Sequence, residues 1–120
     1  MSDFLAAAVQ LTSTSNVEAN FSLAEEQIEL ASRRGAELVG LPENFAFIGD
    51  DKERLKIAGS LAEKCSQFLI TMARRYQVVL LGGGFPVPAV DGKRTLNRAE
   101  LVGIDAVSYT HLTLPTSDLV

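Results

Sequence analysis

The chain is expected to fold as an α/β domain whose sheet contains parallel strands. Three observations predict this. Short apolar runs of strand length alternate with stretches whose apolar residues recur every three or four positions. The resulting order is strand, helix, strand, helix, strand, strand, and alternation of that kind belongs to parallel sheets with crossover helices. Finally, Val78–Leu81 is apolar at every position, as in a strand covered on both faces.

Each element follows from its residues. Phe4–Leu11 is a nearly unbroken apolar run, expected to be a strand buried on both sides. Thr12–Asn16 is polar punctuation. Ser15-x-x-Glu18 has the spacing of a capping box, in which hydroxyl and carboxylate satisfy each other's orphan backbone N–H groups. Val17, Phe21, Ala24, Ile28 and Ala31 then share one helical face. Arg33 and Arg34 suit the negative end of that helix, and Gly35 suits the left-handed position after it.

Leu38–Leu41 is the second strand. Asp50 and Asp51 are expected to open a short helix ending near Gly59, and Ser60-x-x-Glu63 to cap a separate one. Cys65, Leu69, Met72 and Tyr76 lie along a face of that second helix, with Leu61 and Phe68 on its flank. Val78–Leu81 is the third strand. Pro86–Arg94 contains the turn pair Asp91-Gly92, so a hairpin to the fourth strand, Thr95–Val102, is expected. Right-handed crossovers carry both helices to one face if the strand order keeps advancing. The other face then needs a cover.

Composition narrows the function. A chain of 120 residues with 47% apolar content can bury a core. The net charge of −4, with cations scattered, argues against nucleic acid. The single Cys65 fits a reducing compartment. The opening Met1-Ser2-Asp3 has no basic segment, and Phe4–Val9 is too short for a signal or a membrane span. A cytoplasmic soluble protein with no membrane partner is expected.

The chemistry centres on Glu43, which follows an apolar run and Pro42. The carboxyl ends of strands are where open α/β sheets hold ligands. Between Leu41 and Phe45 a carboxylate is expected to be partly desolvated, which would raise its pKa toward that of a general base. By itself, a Glu at a strand end is more often solvated or salt-bridged. Cys65 sits in an apolar helical stripe and reads as a buried structural thiol. Gly82-Gly83-Gly84 follows a strand as phosphate loops do, but a hairpin comes next, so close backbone packing or a bulge is the better account. His111 has no ligand partner at useful spacing, and no metal is expected. Phe45 and Phe47 are expected in the core, with Phe47 as a candidate pocket residue.

Leu41-Pro42-Glu43-Asn44-Phe45 resembles the first signature of the carbon–nitrogen hydrolase (nitrilase) superfamily. The likeness runs from Phe4 to about Gly103 and includes the strand end Leu80–Gly84. Within it, residues 41–49 are most similar to the branch that acts as amidase on deaminated glutathione. The resemblance implies an αββα sandwich, of which this chain is the N-terminal half. It implies hydrolysis of a small amide or nitrile without metal or organic cofactor, by a Glu-Lys-Cys triad whose general base is Glu43. Asn97 matches an Asn common in the family's fourth strand and is a candidate support for the site. The parent is expected to be a homo-oligomer.

Relatives would continue past Gly103 into a Tyr-x-Lys-x-His-Leu motif that carries the lysine. Here no lysine follows Lys93, and Tyr109 stands in the lysine's register. The string Val107–Thr116 resembles a recurrent translated adapter sequence. Residues 1–105 are therefore read as a partial hydrolase domain, and 106–120 as a tail of foreign origin, with a divergent native C-terminus as the alternative. The 120-residue chain is expected to be inactive by itself. A small metabolite-binding α/β module or pseudoenzyme is the competing reading.

Overall fold

The computed structural model describes residues 3–105 and the backbone of 108–115. The elements are β1 (Leu5–Ala8), α1 (Val17–Arg33), β2 (Ala36–Leu41), α2 (Asp51–Tyr76), β3 (Val79–Pro88), β4 (Thr95–Val102) and β5 (Ser108–Pro115). They form one mixed sheet in the order β1-β2-β3-β4-β5. The first three strands are parallel, and β4 and β5 add antiparallel. The fold class is α/β, as the alternation of patterns predicts.

Helix α1 begins one residue later than the expected capping box. Asn16, not Ser15, is the cap, and its Oδ1 accepts from the Ala19 N–H at 3.0 Å. Asn ranks with Ser as a cap, so neighbouring candidates compete and local geometry decides. The buried stripe is Asn20, Ala24, Ile28 and Ala31. Gly35 does take the left-handed backbone, at φ 93°.

Helix α2 differs more from expectation. Residues read as two helices form one helix of 26 residues, capped by Asp50, whose Oδ1 accepts from the Glu53 N–H at 2.8 Å. Gly59 does not break it. That position is exposed and has no atom within 4 Å of where a Cβ would stand, so glycine there costs only about 1 kcal/mol of helix propensity. Burial outweighs this: Leu61 and Leu69 are both fully buried, at about 1.5–3 kcal/mol each. Ser60 donates back to the Ile57 carbonyl at 3.2 Å instead of capping. Gln77 ends the helix in the left-handed region, φ 53°.

Both helices lie on one side of the sheet, touching each other and the strands β2 and β3. The strand order advances in one direction, so like-handed crossovers bring them to the same face. The register places Ala7, Val39, Leu80 and Val102 in one row beneath the helices, the last three buried. The alternate row, Ala8, Gly40, Leu81 and Leu101, faces away. Leu81 is 43% exposed there. No described element covers this second face.

That explains a second departure. The apolar run predicts a β1 buried on both sides, but it is a four-residue edge strand with Leu5 exposed, and Phe4, just before it, is exposed too. It is also shorter than the apolar run, because hydrogen bonding to β2 stops once Val9 has donated to Gly40. In contrast, β3 is longer than expected: it continues through the three glycines to Pro88, with an irregularity between Gly82 and Phe85. The expected hairpin is present. Ala89 N–H donates to the Arg94 carbonyl at 3.0 Å, and Gly92 takes φ 68° in the turn.

β5 pairs along β4 from Leu96↔Pro115 to Val102↔Ser108. It occupies most of the stretch read as a foreign tail. The pairing fixes where that backbone runs and says nothing of its origin. Residues 106–107 and 116–120 lie outside the described residues, and so does the side chain of His111.

Candidate active site

The site forms where β2 ends, beside the glycines within β3. Pro42 has no N–H to continue the ladder, and β2 stops at Leu41. The chain then turns over β3. A Cβ on Gly83 would stand 2.5 Å from the Leu41 carbonyl oxygen and 2.7 Å from the Pro42 carbonyl carbon. Only glycine lets the two backbones approach this closely. The triple glycine is thus a packing surface for the Pro-Glu turn, with its irregularity, and not a phosphate loop.

Two contacts fix Glu43 and its neighbour. The Asn97 Nδ2 donates to Glu43 Oε1 at 3.0 Å. The Asn44 N–H donates to the Gly84 carbonyl at 2.7 Å, while Asn44 takes a left-handed backbone, φ 59°. Gly84 leaves room beside both partners: a Cβ there would lie 3.4 Å from Glu43 Cγ and 3.6 Å from Asn97 Cγ. Asn97 is 7% exposed, and its Oδ1 is buried without a partner among the described residues.

Glu43 itself is exposed. This corrects the expectation of a partly desolvated carboxylate. The flanking residues point elsewhere: Leu41 and Phe45 are buried in the core, while Glu43 looks outward from the turn. Sequence neighbours do not desolvate a side chain that they face away from.

Behind the turn, the loops after β1 and β2 are strapped together. Asn20 is 2% exposed. Its Nδ2 donates to the Thr14 carbonyl at 2.7 Å and to the Ala46 carbonyl at 2.8 Å. Its Oδ1 accepts from the Thr14 N–H at 3.0 Å. Ile48 N–H donates to the Thr14 carbonyl and Ser13 Oγ to the Phe45 carbonyl. Phe45 packs edge-on against Phe85, ring centroids 6.2 Å apart.

Among the residues singled out from sequence, Glu43 and Asn97 meet. Phe47 does not join them. It is 4% exposed, within the core, and it borders an open hollow of about 470 Å³ with Ser15, Glu53, Lys56, Ile57 and Ser60. Neither Glu43 nor Asn97 lines that hollow. Cys65 is fully buried, and burial, followed by the charge of nearby Glu100, pushes its thiol up to about 12. It is a core thiol. Among the described residues no group of His, Cys, Asp and Glu side chains is arranged to hold a metal. No described helix is long and apolar enough to cross a membrane.

Three residues of the site receive no role from the sequence: Asn20, Asn44, which stands only as part of the 41–45 signature, and Arg54, whose Nη2 donates to Asn44 Oδ1 at 2.9 Å. Asn20 carried a signal, being a polar residue in phase with the apolar stripe at 24, 28 and 31. Nothing in the sequence marks the Arg54–Asn44 contact.

Comparison with known proteins gives consistent results. The profile of the carbon-nitrogen hydrolase family matches residues 5–114. The chain is 52% identical over 103 residues to a deaminated glutathione amidase of Synechocystis, covering 85% of this chain and 38% of that protein. It is 38% identical over 96 residues to the deaminated glutathione amidase of Bos taurus, covering 76% and 28%. Among solved structures, the Caenorhabditis elegans NitFhit protein superposes with a TM-score of 0.78 at 29% identity, covering 88% of this chain and 26% of that one. An amidase from Nesterenkonia sp. superposes at 0.74 with 20% identity, covering 87% and 40%. The chain thus spans well under half the length of the relatives it matches.

Proposed function

The chain belongs to the carbon–nitrogen hydrolase family, and from that premise we propose that it is the N-terminal part of an amidase in which Glu43 is the general base. The observation that carries this reading is the contact of Glu43, just past the end of β2, with Asn97 of β4. A carboxylate that accepts from a buried amide is held in one place, yet stays exposed and open to a reactant.

In the complete enzyme, a lysine and a cysteine from outside this segment complete the triad. Glu43 takes the proton from the cysteine thiol as sulfur attacks the amide carbon. The lysine ammonium stabilises the oxyanion of the tetrahedral intermediate. Its collapse breaks the C–N bond, the amine leaves with the proton, and a thioester remains. Glu43 then draws a proton from water, which attacks the thioester and releases the carboxylic acid and the thiol. The substrate class is a small carboxylated amide, in keeping with the name of the Synechocystis and Bos taurus relatives. Neither metal nor organic cofactor enters the scheme, and the complete enzyme is a homo-oligomer.

The test is ammonia or amine release from small carboxylated amides by the full-length product of the locus, with and without Glu43→Gln. Turnover lost in the variant supports the reading. Binding of such amides without turnover in the wild type would make the segment part of a metabolite-binding module instead.

A further inference from the structure

Asn44 is one of two described non-glycine residues with a positive φ, at 59°. Asn tolerates this region better than most residues, but it persists only where the surroundings fix it, and such positions gather at functional sites. Here two contacts fix it. The backbone N–H is tied to the Gly84 carbonyl at 2.7 Å. The side-chain Oδ1 accepts from Arg54 Nη2 at 2.9 Å.

Arg54 is well placed for such a task. It stands in the first turn of α2, and its own N–H donates to the Asp50 carbonyl at 2.9 Å. It is half-buried, and it makes no salt bridge among the described residues. Its guanidinium is spent on a neutral amide, a charge-assisted bond stronger than one between neutral groups.

We propose that Arg54 is a positioning residue for Glu43, acting through Asn44. This rests on the reading of Glu43 as general base. The two residues share a peptide bond, so Asn44 leaving the left-handed region would rotate that peptide and swing the Glu43 carboxylate away from Asn97. Small misplacements of a catalytic group have large effects on rate. The path is short: helix turn, guanidinium, amide, kinked backbone, carboxylate.

The experiment uses the full-length enzyme and a double-mutant cycle. Arg54→Ala should fold, since the side chain is only half-buried and Ala favours helices. It should lower kcat about tenfold and leave KM within about twofold, the split expected when only transition-state geometry is lost. Arg54→Lys, which can still donate to Oδ1, should recover most of the loss. Asn44→Ala should cost at least as much as Arg54→Ala, since Ala tolerates the left-handed region less well, and the double variant no more than Asn44→Ala alone. Losses that multiply, or a loss that falls on KM, would mean that Arg54 acts directly on substrate and would overturn the proposal. An unchanged kcat in Arg54→Ala would overturn it as well.

A second readout does not depend on turnover. The side-chain NH₂ resonances of Asn97 report its bond to Glu43, and Glu43→Ala supplies their unbonded reference. In Arg54→Ala they should move toward that reference; resonances that stay in place sink the proposal. If the wild-type enzyme turns nothing over, the general-base reading fails, while these resonances still decide whether Arg54 controls the placement of Glu43.

Discussion

Asn97 Nδ2 reaches Glu43 Oε1 at 3.0 Å across 54 positions of sequence, joining the middle of an antiparallel strand to the turn after a parallel one. β3 makes the meeting possible. It lies between β2 and β4, and its glycines leave no side chain in the way. The site is thus assembled by the order of strands and by the absence of atoms on one of them.

Glu43 variants should separate chemistry from stability. In the full-length enzyme, Glu43→Gln should lower kcat about 10²–10⁴-fold, the range for a positioned general base. The melting temperature should barely move, because Glu43 is exposed. The 120-residue chain alone should release no amine from small amides. Turnover by that chain, abolished by Glu43→Ala, would contradict the assignment of the other two catalytic groups to another part of the protein.

Glycines 83 and 59 should respond in opposite ways. Gly83→Ala drives a methyl group into the backbone of Leu41 and Pro42, which must displace the Pro-Glu turn. Urea denaturation should show a loss of about 2 kcal/mol or more, in the range of overpacked positions. The bond between Asn97 and Glu43 should weaken with it. Gly59→Ala meets nothing and should stabilise α2 by about 0.5–1 kcal/mol. Similar midpoints for the two variants would refute the account of the triple glycine.

Removing the Asn20 strap should be costly. Asn20→Ala leaves the Ala46 carbonyl without its side-chain donor and the Thr14 carbonyl with the Ile48 N–H alone, at about 1–3 kcal/mol for a buried group left unpaired. Asn20→Asp keeps the shape but replaces two donated bonds by repulsion, and should be no better. Equilibrium unfolding of both variants checks this. A change below 1 kcal/mol in each would mean that water replaces the side chain.

Cys65 makes stability depend on pH on the alkaline side. Its folded-state thiol titrates at about 12, above the ordinary value of 9.0. Between these, the unfolded chain has lost the proton and the folded chain keeps it. Folding stability should therefore be unaffected by this group below pH 9 and fall toward pH 12, by about 1.4 kcal/mol per pH unit at most. Cys65→Ala should flatten that part of the profile while lowering stability at neutral pH. A thiol reagent at pH 8 should label the native chain only as it unfolds, and rapid labelling of folded protein would disprove the burial.

The open apolar face should promote self-association. Leu81 is 43% exposed in the row that faces away from the helices. The 120-residue chain should elute as oligomer or aggregate, and Leu81→Lys should shift it toward monomer. A sharply melting wild-type monomer on gel filtration would count against this.

The local periodicities by themselves determined the α/β class and the order of the first six elements, and the resemblance of residues 41–45 to a family signature pointed to Glu43 as the catalytic candidate. These depend on spacing and on residue types next to one another, which a linear reading contains. The placement of both helices on one face followed as well, from a general rule of chain handedness. What only the tertiary structure decided depends on contacts between distant segments. Gly59 could not be read as the middle of a helix, because the reason lies in Leu61 and Leu69 packing on the sheet. The exposure of Glu43 could not be read from buried neighbours, because a turn sends adjacent side chains in different directions. Asn20, Asn44 and Arg54 acquire their roles from hydrogen bonds to loops and elements that folding brings alongside them. Sequence names the groups that can react; their distances exist only once β2, β3 and β4 lie side by side.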